Sequence, residues 1–505
     1  MIDRNGTAPA VPFFFCVALA GICLIAAARV ALTYGILGQT FDEPAHAACG
    51  LEIAATSRYT LELQHPPLAR IATGIGLRIG GLTLPAQGTI WQRGNEILYS
   101  GGRYVSNLAH ARAGTLFFLV LAIVITWSWT RRLFDERHAI AAAALLSITP
   151  AFLGHAGLAT TDVAVAATTL LALYRVWRWF EQPSTSNAIW CGAAIALAFT
   201  SKFSALLFLP AGVIALLVAR LPSRSPLATR RSLVHLLLIA ITALLVAWAV
   251  YAFSLDAPQQ IATGLRWAIS HERGGHPAYL LGRNSPDGWW YFFLVAFLVK
   301  TPIALIILMI IGAWDRRARL PLAITLAFFV VSMPLHVAIG LRHLLPIYPF
   351  VAMLGAAGLF RWRIPAIALS AWLLIATTLA HPDYLAYFNE ATLGRADFFL
   401  VDSDLDWGQD VIRLSRAVDT RTQPLTIAYF GTADLRRHGL PPFHTLRRGE
   451  EPYGWIALSV TILRKGKPPG RFDFLANVPY TMIGKSIRLY YRPYAARPGD
   501  RRPLS

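Results

Sequence analysis

Apolar runs recur along the whole chain and are separated by polar stretches. Most of these runs approach or exceed the roughly 20 residues that an α-helix needs to cross the hydrocarbon core of a bilayer. We therefore predict a polytopic α-helical membrane protein with about eleven transmembrane helices. The predicted spans are 11–33, 112–130, 138–154, 161–180, 187–201, 203–219, 233–253, 289–312, 320–339, 344–360 and 363–380.

Arginine clusters follow every second predicted span. Positively charged loop ends lie on the cytoplasmic side of membrane proteins, so all clusters agree on one orientation with a cytoplasmic N-terminus. One span more or fewer would put later clusters on the wrong side. The clusters are Arg131/Arg132, Arg175/Arg178, residues 220–231, Arg316/Arg317/Arg319 and Arg361/Arg363.

The three long polar stretches, 34–111, 254–288 and 381–505, then lie outside. The first contains PPLARIATGIGLRIGGL, whose apolar residues recur at helical spacing and predict a helix in the membrane interface. The last stretch mixes helical DWGQDVIRLSRAV with strand-like LTIAYFG, WIALSVTIL and SIRLYYR. We predict a membrane domain over 1–385 and a small exported α/β domain over 386–505.

The composition fits this picture and excludes several classes of protein. Hydrophobic residues make up 55% of the chain and charged residues 14%, which is typical of a polytopic membrane protein and not of a soluble domain. The net charge of +19 is dispersed between apolar runs instead of forming one basic face, so nucleic acid is not an expected partner. The four cysteines match neither metal-ligand nor disulfide spacing, and we predict no metal site from them.

The predicted topology brings distant ionisable residues to the external face. Acids and cations gathered at one membrane surface suit a site that handles an anionic lipid head group. Lys300, in FLVKTPI, instead falls inside a span, where a charge costs roughly 2.5–3.5 kcal/mol and is usually functional. The external set is Asp42, Glu43, His46, His65, Arg112, Asp162, Lys202, Arg342 and His343.

The stretch FDEPAHAACG admits two interpretations of its acids. Asp42 and His46 are four residues apart, so in a helix they would share a face and could bond to each other. A partly desolvated carboxylate there can act as a general base. Alternatively, Thr40 and Glu43 match a T-x-x-E capping box, and early acids suit the helix dipole. The sequence favours neither interpretation.

Each of the other polar residues also has a structural interpretation. His65 precedes two prolines and could belong to a stiff turn, and Asp162 could cap the fourth span. Arg112 and Lys202 could extend to the interface, or could neutralise a phosphate leaving group. For the acids of DSDLDWGQD, between Asp402 and Asp410, docking against the helices is favoured over cation binding.

The order of these motifs resembles a known superfamily. FDEPAHAACG followed by QHPPLAR is similar to the first external loop of phospholipid-carrier-dependent glycosyltransferases of the GT-C fold, the superfamily of protein O-mannosyltransferases and lipid A aminoarabinose transferases. ARAGTLFF, LATTDVAV, SKFSALLFLP, GHPAYLLGRNSPDGWWYFF, LVKTPIAL, GLRHLLPIYP and YLAYFNEATLGRADFFLVDSDLDWGQD extend the resemblance along most of the chain. The last four look like a bacterial branch of the superfamily.

The resemblance implies an inverting transfer of a sugar from a polyprenyl-phosphate carrier at the outer leaflet, with no cofactor and no obligatory metal. It implies Asp42 as the base, Glu43 as its partner or a substrate contact, and Arg112 as a ligand of the carrier phosphate. It also implies that His65 shapes the same loop. Lys202, Arg342 and His343 carry over less specifically. No trefoil domain is inserted in 254–288, and the C-terminal region differs from that of the eukaryotic mannosyltransferases, so the acceptor stays open.

Two other classes compete with an enzyme. A transporter or lipid flippase would also be polytopic, but such proteins tend to show repeats and charges at the membrane midplane. A non-catalytic subunit would use the acids only as helix caps. Because the charges here collect at one surface, we expect a glycosyltransferase of the bacterial cytoplasmic membrane, whose acceptor is a protein, a lipid or a glycan.

Overall fold

The computed structural model describes residues 13–220, 230–468 and 470–494, most of them in helices. Residues 221–229, which include Arg224 of the third arginine cluster, lie outside the described residues. The helices are α1 Phe13–Ala31, α2 Glu43–Thr56, α3 Leu68–Ile79, α4 Ile90–Tyr99, α5 Tyr104–Thr115, α6 Phe117–Leu133, α7 Glu136–Ile148, α8 Pro150–Ala156, α9 Asp162–Glu181, α10 Thr185–Ser201, α11 Ala205–Arg220, α12 Arg230–Val250, α13 Ala257–Gly274, α14 Phe292–Lys300, α15 Ile303–Gly312, α16 Arg319–Ser332, α17 Tyr348–Leu359, α18 Arg363–Leu379, α19 Ala396–Phe399, α20 Val411–Ala417 and α21 Val460–Lys465.

A helix lies in each of the eleven predicted spans, but not every span is one straight helix. Among the described residues, three helices are long and apolar enough to cross a membrane, namely Phe13–Ala31, Tyr104–Leu133 and Ser232–Val250. The count rises to five if each of two bent pairs is one span. The model has the apolar helices of an integral membrane protein, while the number of crossings stays a prediction.

Two predicted spans are bent at a proline. The pair α7/α8 bends by 64° and the pair α14/α15 by 109°. Pro150 and Pro302 follow the breaks, and a proline pushes the residue before it out of the helical conformation. The predicted span 289–312 therefore consists of two helices, and Lys300 is the last residue of α14, at the bend between them.

The first external stretch folds into four helices that cross closely at glycines. A Cβ atom at Gly74 of α3 would lie 2.0 Å from the Gly50 carbonyl oxygen of α2. One at Gly76 would lie 2.1 Å from the His110 carbonyl oxygen of α5. Helices α2, α3 and α5 therefore approach at backbone distance, which only glycine permits. On the predicted interfacial helix α3, Ile75 and Ile79 are exposed as expected.

The C-terminal region contains a five-stranded sheet. Its strands are β3 Leu425–Ala428, β4 Phe443–Thr445, β5 Gly454–Ser459, β6 Tyr480–Ile483 and β7 Ile487–Arg492, in the order β4-β3-β5-β7-β6. Strand β3 is parallel to β4 and β5, whereas β7 is antiparallel to β5 and β6. The stretch WIALSVTIL, expected to be one strand, splits into β5 and α21. The domain boundary at 386 stays a prediction.

A short hairpin, β1 Ala278–Leu280 and β2 Arg283–Ser285, was not predicted. It belongs to the external stretch 254–288. The Leu281 amide donates to the Phe399 carbonyl at 3.1 Å, and the Tyr279 hydroxyl donates to the Asp397 carbonyl at 3.0 Å. The hairpin therefore joins the second external stretch to the C-terminal region.

Candidate functional site

Four of the predicted site residues form one chain of charges. Arg342 Nη1 donates to Asp42 Oδ2 at 2.8 Å and lies 3.9 Å from Asp162 Oδ2. Lys202 Nζ donates to Asp162 Oδ1 at 2.7 Å. The side chain of Asp42 is 26% exposed and that of Asp162 only 1%. The chain therefore runs from a buried carboxylate to a carboxylate that water or a substrate can reach.

Each member of this chain lies where a helix begins or ends. Asp42 precedes α2, Asp162 is the first residue of α9, and Lys202 follows α10. Arg342 lies in the 3₁₀ turn Leu341–Ile347 before α17. Asp42 occupies the N-cap position, yet its side chain accepts no capping hydrogen bond from the backbone. Capping does not account for Asp42, and the capping interpretation of Asp162 was also wrong, because Thr161 is the N-cap.

Two buried atoms of this charge chain have no hydrogen-bond partner in the part of the protein that the structure describes. Asp162 Oδ2 and Arg342 Nε are buried and form no hydrogen bond among the described residues. A buried polar atom without a partner costs roughly 1–3 kcal/mol, so such atoms mark places where a ligand or water completes the bonding. The guanidinium stays charged, because Asp42 and Asp162 raise the pKa of Arg342 although burial acts in the opposite direction.

Glu43 and Arg112 form a separate, sealed pair. Arg112 Nε donates to Glu43 Oε1 at 2.8 Å and Nη2 to Oε2 at 2.8 Å, and both side chains are at most 1% exposed. The other Arg112 donors reach the Leu37 and Gly38 carbonyls at 2.9 and 2.7 Å. This placement does not support the predicted roles of Arg112 as a phosphate ligand and of Glu43 as a substrate contact.

The carboxylate of Glu43 accepts hydrogen bonds from three residues. Besides Arg112, it accepts the Ala159 amide at 2.9 Å and the Thr40 amide at 2.7 Å. Burial would raise the pKa of Glu43, but Arg112 and these amides hold it below its ordinary value. Half of the predicted capping box is present, since Glu43 reaches back to Thr40. The pair fixes the loop that carries Asp42.

His46 of the external loop bonds to Arg70 and not to Asp42, and the His65 ring lies beside it. Arg70 Nε donates to His46 Nδ1 at 3.1 Å, so the expected Asp42–His46 bond is replaced. The rings of His46 and His65 lie 5.5 Å apart. Burial and the Arg70 guanidinium hold the pKa of both imidazoles well below the ordinary value, so both rings are neutral at pH 7.

His343 borders the charged chain without bonding to it. Its Nε2 atom is buried and has no hydrogen-bond partner in the part of the chain that the structure describes. Burial, Lys202 and Arg342 hold its pKa well below the ordinary value. His343 is therefore a neutral side chain beside two cations, with a free nitrogen.

Lys300 does not belong to the charge chain of Asp42, Arg342, Asp162 and Lys202. Its ammonium group donates to the Leu385 carbonyl at 2.7 Å and to the Asp404 carbonyl, and it is 4.3 Å from the centre of the Phe388 ring. These partners belong to the external stretch 381–505. No sequence pattern there indicates which backbone carbonyl faces a cation. A contact of Lys300 with the carrier phosphate is not supported by this placement.

The acids between Asp402 and Asp410 bond to backbone amides and to basic side chains. Asp404 accepts the Leu341 amide at 3.0 Å, Asp406 the Thr461 amide at 2.8 Å, and Asp410 the Ser486 amide at 3.0 Å. Within 13–220, 230–468 and 470–494, His, Cys, Asp and Glu nowhere form a group of three placed to hold a metal ion. The segment docks against the rest of the chain.

Two functional neighbours were missed by the sequence analysis. Arg70 is 1% exposed and donates to His46, although its position in an amphipathic helix gave it no special signal. Trp407 lies with its ring centre 4.4 Å from the Arg342 guanidinium carbon. A tryptophan between acids in DLDWGQD was the available signal for Trp407.

The comparisons with known proteins agree with this architecture. Residues 105–258 match the family model of dolichyl-phosphate-mannose-protein mannosyltransferases. ArnT from Cupriavidus metallidurans bound to undecaprenyl phosphate is similar over 95% of this chain and 98% of its own, with 13% identity and a TM-score of 0.53. Its apo state covers 94% and 97%, with 14% identity and a TM-score of 0.51.

A third structure is more distant. The archaeal oligosaccharyltransferase AglB from Archaeoglobus fulgidus, in complex with an inhibitory peptide and a dolichol-phosphate, covers 90% of this chain and 70% of its own, with 14% identity and a TM-score of 0.42. No curated protein matches the chain by sequence. The two ArnT structures are the matches that establish the fold.

Proposed function

The chain has the GT-C fold of membrane glycosyltransferases, and from that premise we propose that it transfers a sugar from a polyprenyl-phosphate carrier to an acceptor at the outer face of the bacterial cytoplasmic membrane. The N-terminus lies in the cytoplasm and the C-terminal region outside. The acceptor is a protein, a lipid or a glycan, and the reaction uses no cofactor.

The observation that carries the proposal is the position of Asp42. It is the accessible end of a charge chain whose other members, Arg342, Asp162 and Lys202, are buried or nearly so. A carboxylate held in place by a cation at the edge of a water-poor site can remove a proton from a substrate positioned beside it.

Arg342 and Lys202 are the residues that suit the carrier phosphate. Arg342 Nε has no hydrogen-bond partner among the described residues, and Lys202 donates one of its three N–H groups to Asp162. A phosphate that gains negative charge as it leaves is stabilised by such preorganised donors. The role inferred for Arg112 from the resemblance therefore passes to these two residues.

The transfer is a single displacement. An acceptor hydroxyl or amine attacks the anomeric carbon, and Asp42 takes the proton that this nucleophile loses. The bond from the anomeric carbon to the phosphate oxygen breaks, and the electron pair leaves with the polyprenyl phosphate beside Arg342 and Lys202. Attack from the face opposite to the phosphate inverts the anomeric configuration. Positioning, base catalysis and leaving-group stabilisation act together.

The test is turnover of labelled polyprenyl-phosphate sugars by the purified protein in detergent, with and without EDTA. We expect the wild type to release polyprenyl phosphate and the Asp42→Asn variant to lose at least about 100-fold in rate, the scale of a general base. Asp419→Asn, an exposed carboxylate whose side chain is 51% accessible, is the matched control.

Three outcomes distinguish the competing functions. Donor consumption that depends on Asp42 supports the enzyme. A transporter would move the carrier across a vesicle membrane without consuming the donor in detergent. A wild-type protein that does neither would be the non-catalytic subunit. Normal turnover by Asp42→Asn would remove the base role from this residue.

A further inference from the structure

The segment Asp402–Asp410 of the C-terminal region contacts both loops of the proposed site. One loop carries Asp42 and the other carries Arg342. We propose that this segment positions the Asp42–Arg342 pair, and that Trp407 is the positioning residue that holds the Arg342 guanidinium toward the carrier phosphate. The inference rests on the proposed function.

On the Asp42 side, the contacts are backbone hydrogen bonds. The Gly38 amide donates to the Gln409 carbonyl at 2.7 Å, and the Phe41 amide donates to the Trp407 carbonyl at 2.9 Å. A Cβ atom on Gly38 would lie 2.5 Å from a methyl carbon of Val411 and 3.4 Å from the Gln409 carbonyl oxygen, so the Gly38 backbone packs closely against this part of the chain. The residue directly before Asp42 is thus tied to the same tryptophan that contacts Arg342.

On the Arg342 side, two side chains of the segment hold the loop. Asp404 Oδ1 accepts the Leu341 amide at 3.0 Å, and the Ser403 hydroxyl donates to the Ile339 carbonyl at 2.8 Å. Between these points, a Cβ atom on Gly340 would lie 2.2 Å from Ser403 Oγ. Both neighbours of Gly340 are therefore fixed to the segment.

Trp407 lies between the two loops and contacts the cation itself. The Arg342 guanidinium carbon is 4.4 Å from the centre of the tryptophan ring. Trp407 is only 2% exposed, so its ring packs against protein and acts on a substrate only through Arg342. A cation over a desolvated indole ring is attracted to the electron-rich face of the ring, and this contact competes with water for the guanidinium.

The far side of the segment is anchored to buried groups. Lys300 donates to the Asp404 carbonyl, Thr461 donates to Asp406, and Ser486 donates to Asp410. These partners belong to the α14/α15 bend, to α21 and to the turn between β6 and β7. Through these contacts, the position of the five-stranded sheet affects the position of the Asp42–Arg342 pair.

The test measures the coupling between Trp407 and Arg342. Four full-length proteins are compared: the wild type, Trp407→Met, Arg342→Gln and the double variant. The readouts are the Kd for polyprenyl phosphate and the melting temperature. We expect Trp407→Met to raise the Kd about 10- to 30-fold in the wild-type background, and less than about twofold when Arg342 is already glutamine.

Two further variants keep the test decisive. Trp407→Phe retains an aromatic face and should raise the Kd less than Trp407→Met, and it replaces that variant if methionine prevents folding. Trp290→Met, at a tryptophan that is 64% exposed, is the matched control and should change neither readout. Additive effects of Trp407 and Arg342 on both readouts would overturn the positioning role.

Failure of the proposed function gives a different result. A wild-type protein that neither binds polyprenyl phosphate nor consumes its sugar conjugates would refute the glycosyltransferase. The melting temperatures of the same four proteins would still show whether Trp407 and Arg342 are coupled.

Discussion

Asp42 and Glu43 are adjacent in the sequence but lie in different environments. Asp42 is partly open and bonds to Arg342, whereas Glu43 is enclosed by Arg112 and by two backbone amides. A base must reach a substrate, and an enclosed carboxylate whose oxygens already accept several donors cannot. Of the two acids, only Asp42 has the geometry of a base, while Glu43 holds the loop.

This difference predicts how the two arginines respond to mutation. Arg112→Gln leaves Glu43 as a buried charge without its partner, so we expect the free energy of unfolding to fall by about 3–5 kcal/mol. Arg421→Gln breaks a surface pair whose arginine side chain is 90% exposed and should cost less than about 1 kcal/mol. Thermal unfolding in detergent measures both changes.

Measuring polyprenyl phosphate binding by the same Arg112→Gln protein tests whether Arg112 contacts the carrier phosphate. An Arg112→Gln protein that melts like the wild type but no longer binds polyprenyl phosphate would contradict the structural role. It would support the phosphate contact that the family resemblance implies. A stable Arg112→Gln protein with normal binding would contradict both.

At the scale of single elements, the segment Asp402–Asp410 contains four buried acids, Asp402, Asp404, Asp406 and Asp410. Burial raises the pKa of Asp404 to about 6 and that of Asp406 to about 8. Asp406 Oδ1 has no hydrogen-bond partner among the described residues. Asp406 keeps its proton at neutral pH, because among the described residues no cation forms an ion pair with it to stabilise the charged form.

The raised pKa of Asp406 predicts a pH dependence with a definite sign. Between about pH 4 and pH 8 the unfolded chain loses this proton and the folded chain keeps it, so the free energy of unfolding falls as the pH rises, by up to about 1.4 kcal/mol per unit. An asparagine at this position would accept the Thr461 amide without titrating. We therefore expect the melting temperature of Asp406→Asn to fall less between pH 5 and pH 8 than that of the wild type.

Asp419→Asn is the control for this measurement. Asp419 is an exposed carboxylate, and the variant should follow the wild-type curve over the same range. Parallel curves for the wild type and Asp406→Asn would mean that Asp406 is ionised in the folded protein. Such a result would indicate a cation or water beside Oδ1.

Elements and site could be predicted to different degrees. Hydropathy located the helices, since burial in lipid selects long apolar runs, and the spacing of the arginine clusters placed Asp42, Asp162, Lys202 and Arg342 on one face. The partners of Arg112 and Lys300 could not be predicted. Backbone carbonyls bind both cations, and every residue has a carbonyl, so the sequence carries no sign of which ones turn inward.

At the scale of the whole molecule, three of the five turns that carry arginine clusters contact one another. The Arg317 guanidinium carbon is 5.0 Å from the centre of the Phe134 ring, which follows Arg131 and Arg132. The ring of His138 is 4.4 Å from that of Phe360, which precedes Arg361. The charge chain of Asp42 and Arg342 joins a different set of turns. These three basic turns and the site residues therefore belong to different groups of contacts, while the orientation stays a prediction.

Accessibility to a membrane-impermeant maleimide tests the orientation that the spacing of the arginine clusters predicts. Cys16, Cys23, Cys49 and Cys191 are first replaced by alanine. Arg421→Cys then reports on the C-terminal region, which hydrogen bonds to Gly38 and Phe41 beside Asp42. We expect labelling in intact cells, because a carrier-linked sugar at the outer leaflet can reach Asp42 only from outside.

Arg316→Cys, in the basic turn after α15, should react only after lysis, since positive turns stay in the cytoplasm. Both sites are exposed in the fold, so a difference in labelling reflects the membrane and not burial. Labelling of Arg316→Cys in intact cells, with protection of Arg421→Cys, would place the site in the cytoplasm and remove the proposed donor from its reach.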